Sequence, residues 1–277
     1  MPLLQVDDQV RLHVEDFGSG APVLLVPGWP LTLRFWEPQV AALVAAGHRV
    51  IGYDRRGFGR SDRPWGGYDQ AAFTADLAAV VDGLGLTGVS LVGFGTGCAE
   101  ALAYAATSTR VRRLVLGSPV LFPGPLAGDL HDAAARHRIP VLDEVLRRLF
   151  AVDGQDALDE QTRLYLLREA CDGAPQATLG ALGTWRDADP GPDLARVTVP
   201  VLVIAGGRDA FVDPDGGAER VARSIAGARL ACVPDAPHGA SVTHAEEWNR
   251  LLLAELRAGE HDPTVGSGAA EGIRRMT

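Results

Sequence analysis

The 277-residue chain contains no lysine; all 26 of its basic residues are arginine. Schiff-base chemistry, a pyridoxal-phosphate anchor and the lysine of a phosphate-binding loop are thereby excluded. Cysteine is scarce. Cys98, Cys171 and Cys232 are odd in number, far apart and without C-x-x-C spacing, so neither a disulfide framework nor a zinc knuckle is expected. No segment holds the roughly 18 consecutive apolar residues of a membrane span. Positive charge is in deficit, with 35 acidic residues and a net charge of −9, which argues against a nucleic-acid surface. The opening MPLLQVDDQV carries acid where a secretory signal carries basic charge, so a cytoplasmic location is expected. What is plentiful is core-forming material: 47% hydrophobic against 22% charged residues, enough for one large α/β domain.

Leu3–Val6 and Val10–Asp16 alternate weakly and read as two short strands. PVLLVPG, RVIGYD, VSLVGFG, VRRLVLGS, VPVLVIAGG and ARLACVPD are short apolar runs closed by Gly, Pro, Ser or Asp, the pattern of strands buried on both faces. Helix-period segments lie between them at Phe35–Ala46, Asp69–Leu84, Thr96–Ala106 and Ala218–Ile225. This alternation predicts βαβ units, a mostly parallel sheet and ligands at the carboxyl ends of its strands. Residues 119–196 break the rhythm, with helical patterns at Asp129–Arg138, Val141–Phe150, Asp159–Cys171 and Ala177–Trp185 and no clear strand. They read as a helical insertion placed to cover a site. The Gly-rich tail, residues 259–277, is expected to be flexible.

The strongest local motif is LVGFGTGCAEALAY, residues 91–104, a buried strand entering a Gly-rich turn and then a helix. As a dinucleotide fingerprint it fails, because the third glycine would fall at Cys98 and no acid ends the next strand. As the G-x-Nu-x-G elbow of α/β-hydrolases, Gly93-Phe94-Gly95-Thr96-Gly97 has the right spacing. Asp209 follows the strand VLVIAGGRD and His238 follows RLACVPDAPHG, in the order nucleophile, acid, histidine that the fold uses. Asp213 and Asp235 are alternatives for the acid.

With GWPLTLRFWEPQV, YDRRGFGRSDRP, LVGFGTG, VPVLVIAGGRD and APHG together, the chain resembles the cofactor-free haloperoxidase, esterase and epoxide-hydrolase branch of the α/β-hydrolase superfamily over about residues 20–258. The resemblance implies an eight-stranded, mostly parallel sheet. It also implies a core of residues 1–118 and 197–258 and a helical cap, 119–196, after the sixth strand. It further implies no cofactor, a small-molecule substrate and an oxyanion hole formed by the backbone N–H groups of Trp29 and Thr96. Charge and hydropathy point to no membrane or nucleic-acid partner, and self-association into a homo-oligomer stays open. Two features depart from the family pattern. The elbow residue is Gly95, which offers no nucleophile, and Pro27 stands before Gly28 where the family has His.

Glycine relieves the backbone strain of the elbow and leaves space beside it. The expected catalytic set is therefore His238, Asp209, the vacant Gly95 position and two amides. Thr96, and Cys98 in the first turn of a helix, are possible substitute nucleophiles. Trp29, Phe94, Phe122 and Trp185 are candidates for an apolar pocket. His131 and His137 lie six apart, off the i, i+4 face of a metal site. The segment Asp54–Ser61 reads as a structural signature.

Three functions follow. The first is non-covalent acid/base chemistry on a small hydrophobic carbonyl compound (cyclisation, isomerisation, carbon–carbon cleavage or elimination), as in natural-product tailoring, with attack by a His238-activated water as a variant. The second is a serine ester hydrolase with Gly substituted for Ser at 95. The third is an inactive small-molecule binder.

Overall fold

The structure is a computed structural model that describes residues 3–212, 217–258 and 273–275. Strands β1 (Leu3–Gln5), β2 (Arg11–Gly18) and β3 (Pro22–Val26) lead to a 3-10 turn, Leu33–Trp36, and helix α1 (Glu37–Ala45). Next come β4 (Arg49–Tyr53), α2 (Gln70–Gly83), β5 (Val89–Phe94), α3 (Gly97–Ala105) and β6 (Val111–Gly117). The insertion holds α4 (Pro125–Phe150), β7 (Ala151–Val152), β8 (Gln155–Asp156), α5 (Glu160–Asp172), α6 (Pro175–Arg186) and α7 (Gly191–Leu194). The chain returns through β9 (Val201–Gly206), α8 (Ala218–Ser224), β10 (Arg229–Val233), α9 (Ala240–Thr243) and α10 (Ala245–Arg257), and β11 (Ile273–Arg275) is the last described element.

The sheet order is β1-β2-β4-β3-β5-β6-β9-β10-β11. β1 and β2 pair antiparallel, β2 meets β4 antiparallel, and β4 through β10 run parallel. The eight expected strands are present, and β11 adds a ninth, antiparallel to β10. β11 falls inside the expected tail; residues 259–272 and 276–277, with His261, lie outside the described residues. β3, β5 and β6 are buried almost throughout because helices cover both faces, as their unbroken apolar runs require. One core cluster, with Phe35, Phe94 and Trp248, fills one face; the other, with Leu24, Leu91 and Leu114, fills the opposite face.

Three local expectations change. Asp129–Arg138 and Val141–Phe150 form one long helix, kinked where His137 leaves helical geometry and Pro140 lacks an N–H to donate. The strandless insertion contains a small hairpin, β7–β8, turned by Asp153 (φ 52°) and Gly154 (φ 78°), a two-residue turn of the kind that suits hairpin twist. Finally, α10 was not anticipated. Its Trp248, Leu251, Leu252, Glu255 and Leu256 are buried at helical spacing.

The signature after β4 is anchored throughout. The Asp54 carboxylate accepts from the Leu33 and Arg60 amides, and the Ser61 hydroxyl donates to the Asp54 carbonyl. Arg56 grips Asp76 with two bonds. Arg55 pairs with Glu100 on α3 and lies 3.8 Å over the Phe73 ring. These contacts hold the loops after β3 and β4 against α2 and α3, beneath the carboxyl edge of the sheet.

Candidate active site

The turn between β5 and α3 puts Gly95 at its tip with φ +54°, a left-handed conformation that disfavours side chains. Gly93 and Gly97 let the turn pack tightly: a Cβ on Gly97 would lie 2.6 Å from the Pro27 carbonyl oxygen, and one on Gly93 would lie 2.9 Å from Cys98 Cα. A Cβ built on Gly95 would clash with nothing; leaving aside its chain neighbours, it meets His238 Nε2 at 3.8 Å, an ordinary van der Waals distance.

His238 reaches this point from the loop after β10. Gly206 and Gly207 end β9 without side chains, so the 234–237 backbone can cross them, with the Gly207 amide donating to Val233 and the Arg208 amide to Ala236. The crossing brings His238 Nδ1–H to Asp209 Oδ2 at 2.8 Å. A carboxylate only accepts, so the proton sits on Nδ1 and Nε2 presents its lone pair toward Gly95. Asp209 Oδ1 accepts from the Phe211 amide at 2.9 Å. Burial pushes the Asp209 carboxyl up, but the His238 ring and these amides outweigh it and hold the group below its ordinary range. Asp235 is exposed and makes no bond to the histidine; Asp213 lies outside the described residues.

The histidine ring is 1% exposed. Phe94 stands edge-on to it at 5.2 Å and Phe211 tilts against it at 4.9 Å, with Trp185 from α6 at 6.1 Å behind Phe211. Ser118, at φ 41°, donates its hydroxyl to the His238 carbonyl at 2.7 Å. Phe211 and Ser118 had drawn no attention in the sequence. Their only signals were position, next to the acid and at the end of β6. Trp185 Nε1 donates to the Phe122 carbonyl, but the Phe122 ring lies under Arg220 at 3.6 Å and packs with the core of the opposite face. Phe122 therefore joins the site through its backbone only.

Two further expectations are corrected. The Trp29 amide is not an open donor; it is bonded to Thr96 Oγ1 at 2.8 Å. Cys98 is no activated thiol: it is fully buried and burial raises its pKa well above the ordinary value. Thr96 keeps a free amide, since among the described residues no acceptor faces its N–H. Among the described residues no group of three His, Cys, Asp or Glu side chains gathers as a metal site. A cavity of about 630 Å³ opens between α3, the 66–70 loop and the α6–α7 segment, lined by Tyr68, Leu102, Leu121 and Thr184, and does not reach Gly95 or His238. The candidate site is therefore identified by the histidine–aspartate geometry and not by the size of a hollow.

Among the described residues no helix is long and apolar enough to cross a membrane. The profile of the alpha/beta hydrolase fold matches residues 21–161. The structure superimposes on that of a bromoperoxidase from Bacillus anthracis with a TM-score of 0.88 and 34% identity, covering 92% of this chain and 99% of that one. It superimposes on an esterase from Exiguobacterium antarcticum with a TM-score of 0.86 and 28% identity, again over 92% and 99%. A non-heme haloperoxidase from Rhodococcus erythropolis is 30% identical over 274 residues, which span 93% of this chain and 100% of that protein. With its sheet order, turn and histidine–aspartate pair already in place, the chain belongs to the alpha/beta hydrolase fold family.

Proposed function

We propose that the protein is a hydrolase of small apolar carboxylic esters that uses His238 as general base toward a water seated beside Gly95. The observation that carries this reading is the aim of the imidazole: Nδ1 is held by Asp209, and Nε2 lies 3.8 Å from where a Gly95 Cβ would stand. Water attacks the acyl carbon as Nε2 takes its proton. The tetrahedral anion then collapses, and the leaving alkoxide recovers that proton from the imidazolium. Asp209 keeps the tautomer and stabilises the cation between the two steps. A positioned general base contributes ~10²–10⁴-fold, so the path is useful but slower than one through a covalent acyl-enzyme. The aromatic walls of Phe94, Phe211 and Trp185 favour an apolar acyl or alcohol group.

The likeness to an esterase supports hydrolysis over the cyclisation, elimination or tailoring chemistry expected first. The missing hydroxyl at the tip keeps one second reading: the same base could take a proton from the carbon next to a carbonyl. Hydrolysis of p-nitrophenyl butyrate decides between them. The expected result is turnover without an initial burst, with His238→Ala slower by at least ~10²-fold. Equal rates for the two proteins reject the base. Deuterium exchange next to a ketone carbonyl without ester cleavage selects the second reading, and neither activity leaves a binding protein.

A further inference from the structure

The cavity of about 630 Å³ between α3, the 66–70 loop and the α6–α7 segment stands apart from Gly95 and His238. Its walls are tied to one another. The Thr184 hydroxyl on α6 donates to the Tyr68 carbonyl at 2.7 Å. Tyr68 and α6 approach so closely that a Cβ on Gly180 would lie 2.3 Å from Tyr68 Cβ. Packing therefore explains glycine at 180. It does not explain glycine at 183, which lines the same cavity and would carry a Cβ with nothing within 4 Å. A glycine inside a helix destabilises it relative to alanine. What Gly183 leaves in exchange is room in the cavity. The lining is apolar where it is buried, at Leu102 and Leu121. It is acidic where it meets water: Asp69, Asp187 and Asp189 are exposed and Asp193 is half-buried. No arginine or histidine lines it among the described residues. Asp187 is held by Arg186 through both oxygens. Asp69 and Asp189 each commit one oxygen, to the Ala72 and Gly191 amides. The Asp193 carboxylate has no hydrogen bond or ion pair among the described residues.

We propose that this cavity is a second binding site, for a small organic cation: a primary amine carried on an apolar body. The site is independent of the reaction at His238. The body buries apolar surface against Leu102 and Leu121, and the ammonium group pairs with Asp193, with Asp69 and Asp189 to either side in the lining. An ammonium group has three donors and no acceptor, so a set of carboxylates with spare oxygens suits it. Bonds between two charged groups are shorter and stronger than neutral ones. With no basic side chain in the lining, nothing there competes for Asp193, and the net charge of −9 favours the approach of a cation. A carboxylate ligand, such as the acid released by ester cleavage, is repelled by the same residues.

Calorimetric titration with 3-phenylpropylamine, 3-phenylpropan-1-ol and 3-phenylpropionate keeps the body constant and changes the charge. At neutral pH and low salt, the amine is expected to bind with a Kd of about 1 mM or below, ~10-fold tighter than the alcohol, with the carboxylate weakest. Asp193→Asn should weaken the amine by ~5-fold and leave the alcohol unchanged. Gly183→Leu places a side chain where no atom stands. It should therefore fold as the native protein does, with an equal or higher unfolding temperature, and lose both the amine and the alcohol. No heat from the amine at about 10 mM overturns the proposal, as does equal affinity for amine and alcohol. Amine binding that survives Gly183→Leu, or that Asp193→Asn leaves unchanged, overturns it too. None of these measurements needs turnover, so failure of the hydrolase reading leaves the result intact.

Discussion

In the proposed reaction, Gly95 is the residue on which the chemistry turns. Its Cβ position lies 3.8 Å from His238 Nε2, so a serine hydroxyl one bond further on comes within hydrogen-bond reach of the base. Gly95→Ser is expected to show a burst of p-nitrophenol, the sign of an accumulating acyl-enzyme. It should also lower stability by ~1–3 kcal/mol, because a side chain would enter the φ +54° conformation. Stopped-flow absorbance and thermal unfolding read the two effects; a serine variant with neither burst nor loss of stability contradicts the geometry of the turn. Asp209 and His238 were legible because chain order after successive strands places them, whatever the loops do. The Thr96–Trp29 bond and the Phe211–His238 contact were not, because both depend on how two loops distant in sequence meet at the edge of the sheet.

Elements were legible where local pattern and tertiary burial agree, as in the apolar runs that became β3 through β6, β9 and β10. The kink in α4 shows where they diverge. Two helical patterns separated by Pro140 suggested a break, yet the chain bends at His137 and continues, because the insertion supplies partners on both sides. Just past the bend, the Arg138 guanidinium donates to the carbonyls of Cys171 and Gly173 at the end of α5. Cations near a helix C-terminus satisfy its last acceptors. Arg138→Ala is expected to cost about 1–2 kcal/mol in urea unfolding, with ester turnover changed by less than about twofold. A loss confined to turnover would assign Arg138 to the site instead.

Across the whole molecule, a buried ion pair ties the sheet to the helices. Glu100 on α3 accepts the Tyr53 hydroxyl at 2.9 Å and pairs with Arg55. Burial dominates its titration and raises the carboxyl to about 7, against the lowering effect of Arg55 and Tyr53. A carboxyl raised on folding contributes stability that is complete below its unfolded value and lost as pH climbs through the folded one. Native protein should therefore lose on the order of 2–3 kcal/mol from this group between about pH 4.5 and 7, a dependence absent from Glu100→Gln. Parallel pH profiles of urea unfolding for the two proteins would refute this. The global fold was readable because the strand–helix alternation and the motif order constrain it together. The ninth strand was not, being a three-residue segment beyond the last apolar run.

The Gly239 amide donates to the Leu149 carbonyl at 2.7 Å, at the last turn of α4. The Phe150 ring occupies the place of any Gly239 side chain, with its nearest carbon 2.2 Å from a built Cβ. Helix α4 and the residue beside His238 are therefore joined. Recombination between relatives that exchanges only residues 119–196 would bring in new helices and leave the histidine loop without its seat. An ancestry of such shuffling should be written in breakpoints beyond Gly239, with the histidine inherited together with the helices that support it.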